Sequence, residues 1–203
     1  IDKATQVTLT EASFNAESQK LSVKAFLSVG KVWSKIIELT TPDSVWEVET
    51  SNAVATVRGT AFGMEATAKS SKVIGSQHSV AVALIDPKTR KRVESKKLEV
   101  KEDTFIEIAA ADVSAVLENK KELRTATTSA VVRADVWFGR NEKSEAVIEK
   151  KIGELRGAGV DRVQLRQELR LEVKERFEQI IEKRLEAGVL IDSRTEGALK
   201  ADS

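Results

Sequence analysis

One stretch constrains the chain more than any other: residues 45–66, VWEVETSNAVATVRGTAFGMEA. Trp46 and Val48 alternate with Glu47 and Glu49, the period of a strand with one buried face. Ala53 to Val57 is apolar on both parities, so the next strand needs cover on both sides. Arg58 and Gly59 then interrupt the run before Ala61, Phe62 and Met64 resume it. The backbone is expected to bend or bulge there, where a residue without Cβ is tolerated. A β core is therefore expected to be pinned here, and the stretch holds no catalytic constellation.

The flanks continue the β rhythm. Thr5, Val7 and Leu9 alternate with Gln6, Thr8 and Thr10, giving a first strand rich in β-branched residues. Leu21, Val23 and Ala25 predict a second strand that runs through Phe26 and Leu27 to Gly30. Val32, Trp33, Ile36 and Leu39 make a third apolar segment, closed by a turn at Thr41, Pro42 and Asp43. Residues 69–72 read as a charged, serine-rich loop. Val80, Val82 and Leu84 alternate, and Asp86, Pro87, Lys88 and Thr89 signal a hairpin before Val93. Leu98 with Val100, and Phe105 with Ile106 and Ile108, complete the pattern near residue 110. Turns about every ten residues fit a sandwich, a barrel or a β-solenoid.

Beyond residue 110 the pattern changes. Asp112 can cap a short helix carrying Val113, Val116 and Leu117. Residues 126–136 read as a last strand or an extended connector, and Trp137 and Phe138 as an anchor docking that connector onto a core. From Asn141 the period is helical: Asn141 or Ser144 can cap a helix with Ile148, Ile152 and Leu155 on one stripe, ended by Gly157 and Gly159. Val160, Asp161 and Gln164 then read as staple, N-cap and capping-box partner of a second helix. Leu165, Leu169, Val173, Phe177, Ile180, Ile181 and Leu185 form its stripe, and Gly188 ends it. The first helix spans ~22 Å and the second ~40 Å at 1.5 Å per residue, so the end of the second outruns its partner. The expected organisation is a β domain over 1–110, a short helix and connector over 111–140, and a helical hairpin with a polar tail over 141–203.

Composition excludes several functions. Lys plus Arg number 33 against 32 for Asp plus Glu, so no net field favours nucleic acid or an acidic membrane. No apolar run approaches the ~20 residues of a membrane span. Cysteine and tyrosine are absent and there is one histidine, His78, in a polar loop without a visible metal-ligand or catalytic partner. No phosphate loop, dinucleotide fingerprint or serine elbow is present. Glu47 and Glu49 could serve as paired carboxylates only inside a cleft, and on a strand they read as a solvated face. Neither an enzyme nor a cofactor site is expected. Arg58, set in an apolar run, is either partly buried against a carboxylate or exposed as a recognition residue, and burial with a partner is the expectation, since an unpaired buried guanidinium is very costly. The chain opens on Ile1 and enters a strand pattern almost at once, so it is expected to be a processed or excised piece.

The segments GKVW, at Gly30 to Trp33, and VETSNAVATVRGTAF, at Val48 to Phe62, resemble the FecR domain. That is a β-rich extracytoplasmic domain of bacterial iron-signalling regulators and many cell-surface proteins. The resemblance covers about residues 1–110 and leaves the helical region outside it. It implies a FecR-like antiparallel β sandwich or β-solenoid-like body, followed by the helical hairpin. It also implies an extracytoplasmic location, at the cell surface or secreted, and it transfers no catalytic residue. Arg58, Gly59, Thr60, Trp33 and Trp46 are expected to be structural.

Two functional expectations follow. The first is a non-enzymatic structural or interaction module that self-assembles, or docks to envelope proteins, through an open β edge and the long helix. Its interface candidates are Val7, Leu9, Leu169, Val173, Phe177, Ile180, Ile181 and Leu185. The second is the extracytoplasmic sensing domain of a cell-surface, sigma-factor regulatory protein. Both need protein partners, a second copy or an envelope protein, and neither needs nucleic acid or a membrane span in this chain.

Overall fold

The computed structural model describes residues 1–161 except 3, 37–40, 58, 129–131, 133 and 134, together with 164, 165, 167–169, 171, 175, 178, 179 and 182. The described strands form one ten-stranded sheet. In chain order they are β1 Gln6–Asn15, β2 Lys20–Lys35, β3 Val45–Glu49, β4 Ala53–Val57 and β5 Ala61–Ala66, then β6 Ser70–Gly75, β7 Ser79–Ile85, β8 Arg92–Lys101, β9 Thr104–Ala109 and β10 Ala126–Thr127. Their lateral order is β10-β9-β6-β5-β2-β3-β4-β7-β8, with β1 added on β2. The mainly β body, followed in the chain by a helical region, is what the sequence predicts. Between sandwich and solenoid the chain takes a third closure, a curled mixed sheet.

β2 makes the curl. Its first half pairs parallel with β3, from Ser22 opposite Val45 to Phe26 opposite Glu49. Its second half pairs antiparallel with β5, from Gly30 opposite Ala66 to Lys35 opposite Ala61. The change of partner falls at Gly30, whose φ is +100° and whose added Cβ would lie 2.4 Å from Thr5 Oγ1. Only glycine accepts both the dihedral and the approach. The sequence predicts two segments broken at Gly30; the strand instead continues through it and serves two wings. One wing is β1-β2-β3-β4-β7-β8 and the other β2-β5-β6-β9-β10.

The β8–β9 hairpin links the wings a second time, with Asp103 at φ 59° in its turn. Gly75 of β6 comes so close to this hairpin that a Cβ would stand 2.3 Å from the Lys101 carbonyl oxygen. The enclosed face holds the principal core, including Leu27, Val48, Phe62, Met64, Val82, Leu84, Ile106 and Ile108. A buried polar knot sits inside it: Asn52 Nδ2 donates to the Ile108 carbonyl at 2.8 Å, and the Ser71 hydroxyl donates to Thr50 Oγ1 at 2.8 Å.

A single 3-10 turn, Ala110–Asp112, leads into helix α1, Val113–Leu117, whose Val113 and Val116 join the core. Asp112 makes no capping bond and instead pairs with Lys121 at 2.6 Å. Helix α2 spans Val136–Gly157, so it starts before both predicted caps. Asp135 caps it, its Oδ1 accepting the N–H groups of Trp137 at 2.8 Å and Phe138 at 3.2 Å.

The chain divides into two compact units, 1–145 and 146–203. In the second, Ile152 and Leu169 are buried and Gly159, at φ +73°, follows the end of α2. Asp161 Oδ1 there accepts the Gln164 N–H at 2.9 Å, the predicted cap. Among the described residues, no helix is long and apolar enough to cross a membrane.

Candidate functional site

The outward face of the β5-β6-β9 wing is built in two rows. Cross-strand register places Trp33 opposite Gly63, Gly63 opposite Ile74 and Ile74 opposite Phe105, an apolar row. The neighbouring row runs Lys31, Glu65, Lys72 and Glu107, with charges alternating in sign from strand to strand. Opposite charges facing across a sheet stabilise each pairing by a few tenths of a kcal/mol.

The start of α2 covers the apolar row. Trp137 and Phe138 are buried there with Ile74, and Trp33, Phe105 and Val132 pack around them. Trp33 meets Trp137 edge-on, with ring centroids 5.6 Å apart, and Phe138 at 5.4 Å. Gly63 makes this possible, since its Cβ would lie 3.1 Å from Trp137 and 3.2 Å from Trp33. The charged row supplies the clasp: Lys31 Nζ bonds Asp135 at 2.9 Å and stands 5.4 Å from the Trp137 ring centroid. Farther along α2, Glu145 is buried, accepting from the Ser76 hydroxyl at 3.2 Å and lying 3.9 Å from Lys35 Nζ.

The clasp is charged at neutral pH. Lys31's bond, and then the capping N–H groups, hold the Asp135 carboxyl below its ordinary range against the opposing effect of burial. For Lys31, burial is the largest influence and works against the charge; Asp135 and Glu65 outweigh it and move the pKa up. A cleft of about 140 Å³ remains between Lys31, Glu65, Lys72 and Ile74 of the sheet and Val132, Asp135, Trp137 and Phe138. That is below the roughly 300 Å³ at which small-molecule sites begin.

Edge strand β1 is the other feature. Leu9 is 61% and Phe14 51% exposed. Glu11, its one charged residue, is held by Lys24 at 2.8 Å. The opposite edge, β8, is dense in Lys and Glu, a common device against unwanted pairing. A bulge between Leu9 and Glu11 divides β1 and leaves residues 11–15 as a regular run.

The residues singled out in the sequence fall in different places. Val7 is half-buried and packs against the principal core, unlike exposed Leu9. Trp46 also packs against that core, whereas Trp33 faces the outer wing. Gly59 has φ 139° between β4 and β5. Buried Thr60 ties this bend to the next by donating to the Gln77 carbonyl. Leu169 is buried. Arg58, Val173, Phe177, Ile180, Ile181 and Leu185 lie outside the described residues.

His78 is exposed in a turn at φ 52°. Glu47 bonds Thr56 at 3.0 Å and pairs with Arg92. Lys31, Asp135 and Glu145 were not legible as site residues, although Asp before Val-Trp-Phe is a cap signal that could have marked the helix start.

No protein-family model and no curated protein matches the sequence. Among solved structures, the chain is similar to a candidate anti-sigma factor from Parabacteroides distasonis, with TM-score 0.43, 12% identity and 62% of this chain covered. A second structure with the same description and organism gives TM-score 0.40 and 14% identity, again with 62% of this chain covered. The match spans about half of each, 50% and 52%.

Proposed function

We propose that the chain is a non-enzymatic, extracytoplasmic protein-interaction domain, the sensing part of a cell-surface signalling regulator, which engages a partner by strand addition along β1. The observation that carries the interaction is the β1 edge, long and nearly free of charge, with Leu9 and Phe14 exposed. An added strand gains backbone hydrogen bonds along the edge, and exposed apolar side chains supply specificity. The bulge after Leu9 divides the edge into two regular runs, 7–9 and 11–15, with Leu9 exposed on the first and Phe14 on the second. The regulator reading is supported by the FecR-like motifs, which lie on mutually paired strands: GKVW is in the half of β2 that pairs with β5, and the second motif runs from β3 into β5.

The same edge supports a second reading, a surface module in which one copy's β1 pairs with another's. Light scattering on the eluting chain, with and without Leu9→Lys and Phe14→Lys together, separates the two. A concentration-dependent dimer abolished by the lysines supports assembly. A monomer that retains an envelope protein, and loses it with the lysines, supports the regulator. Retention unchanged by both lysines, with no dimer, removes β1 as the docking edge.

A further inference from the structure

We propose that the first turn of α2 is a reversible latch, which lifts from the row Trp33, Gly63, Ile74 and Phe105 while the sheet beneath stays folded.

Four observations carry it. The latched cluster is separate from the principal core, and none of its side chains belongs to that core. Opening therefore leaves the main apolar contacts in place, the condition for local rather than global unfolding. Secondly, the packing under the turn is incomplete. A half-open cleft of about 140 Å³ runs along it between Lys31, Glu65 and Lys72 of the sheet and Asp135 and Trp137, so solvent reaches the margin of the contact and part of the turn lies without apolar cover. Thirdly, the Trp33 indole N–H is buried and has no hydrogen-bond partner among the described residues. The docked form carries that penalty, and opening relieves it by admitting water. Fourthly, Lys31 has a second anion. Glu65 lies opposite it across β2 and β5 and already favours its charge, so when Asp135 leaves, the ammonium is not stranded.

Glu145 is the pivot. It is buried and bonded to Ser76, with Lys35 close by, at the last residue of the first unit. The moving piece is thus the cap at Asp135 with Trp137 and Phe138. Among the described residues β10 pairs with β9 through Ala126 and Thr127, and the Thr128 N–H donates to the Asp103 carbonyl at 2.7 Å, so the tie ahead of the latch is short.

The native chain supplies both reporter and control. Trp33 and Trp46 each bury an indole N–H without a partner among the described residues, one under the latch and the other against the principal core. Hydrogen exchange of the two indole protons, followed by NMR on the whole chain, is the experiment. The Trp33 proton should exchange at least tenfold faster than that of Trp46, with a rate insensitive to dilute urea. Asp135→Ala should accelerate Trp33 at least a further fivefold and leave Trp46 unchanged. Exchange of both protons at one rate with one urea dependence would overturn the latch. So would an Asp135→Ala effect of equal size on both.

Discussion

Asp135 does two jobs that substitution can separate. It caps α2 through Oδ1 and clasps Lys31 through Oδ2. Asn also caps well, so Asp135→Asn keeps the first role and loses the charge pair, a cost of about 0.5 kcal/mol for a pair this exposed. Asp135→Ala loses both and should cost about 1–2 kcal/mol. Equal losses for the two variants in urea titrations would mean that capping contributes nothing. Gly75 is the harsher position. Its Cβ would meet the backbone oxygen of Lys101, which cannot rotate away as a side-chain tip can. Gly75→Ala is therefore expected to destabilise by about 3 kcal/mol, at the upper end of overpacking costs. Gly63→Ala, whose added atom would touch two ring edges slightly too closely, should cost about 1 kcal/mol. Chemical denaturation of the two variants side by side tests this ranking.

At the scale of elements, the buried knot in β6 explains both a stability prediction and a failure of legibility. Ser71 faces inward and bonds Thr50 and Asn52. Ser71→Ala leaves those groups short of a partner in a buried setting and should cost about 1–3 kcal/mol, read as a lower urea midpoint with unchanged slope. The same serine hid the strand. A polar residue at an inward position breaks the alternation that marks a strand, so 69–72 reads as a loop although β6 begins at Ser70. Strands with an unbroken pattern, such as Val80, Val82 and Leu84 of β7 or the run Ala53–Val57, were fully legible. The continuity of β2 was not, because a glycine at positive φ looks like a stop when its role is to change partners. The start of α2 was obscured because its first residues dock by aromatic bulk, whereas the helical stripe begins only at Ile148. The clasp could not be read at all: Lys31 and Asp135 are brought together by the fold, across a separation of 104 residues.

Across the whole molecule, positive and negative side chains are nearly equal in number, so acid sensitivity depends on where individual carboxylates sit. Glu11, Asp86, Glu94 and Asp135 have pKa values lowered, mainly by Lys24, by the Lys88 backbone N–H, by Lys97 and by Lys31 respectively. A carboxyl lowered in the folded state stabilises above its unfolded pKa, and that contribution is lost as pH falls through the folded value. Glu49 is the opposite case. Burial raises its pKa, against the pull of Arg90, so the folded chain holds this proton more tightly than the unfolded chain does. Its ionised form is a liability at neutral pH, relieved as pH falls through the raised value. Thermal unfolding should therefore show Tm declining as pH falls from the ordinary carboxylate range of about 4, where the unfolded chain takes up protons that these four folded carboxyls still resist. Glu49→Gln removes the half-buried charge while keeping the side chain's shape. It should raise Tm at pH ~7 by about 1–3 °C, with the gain fading by pH ~4, where native Glu49 carries a proton in any case. A gain of the same size at both pH values would show that the substitution acts through packing or a new hydrogen bond, and the charge at Glu49 would not be what burial penalises.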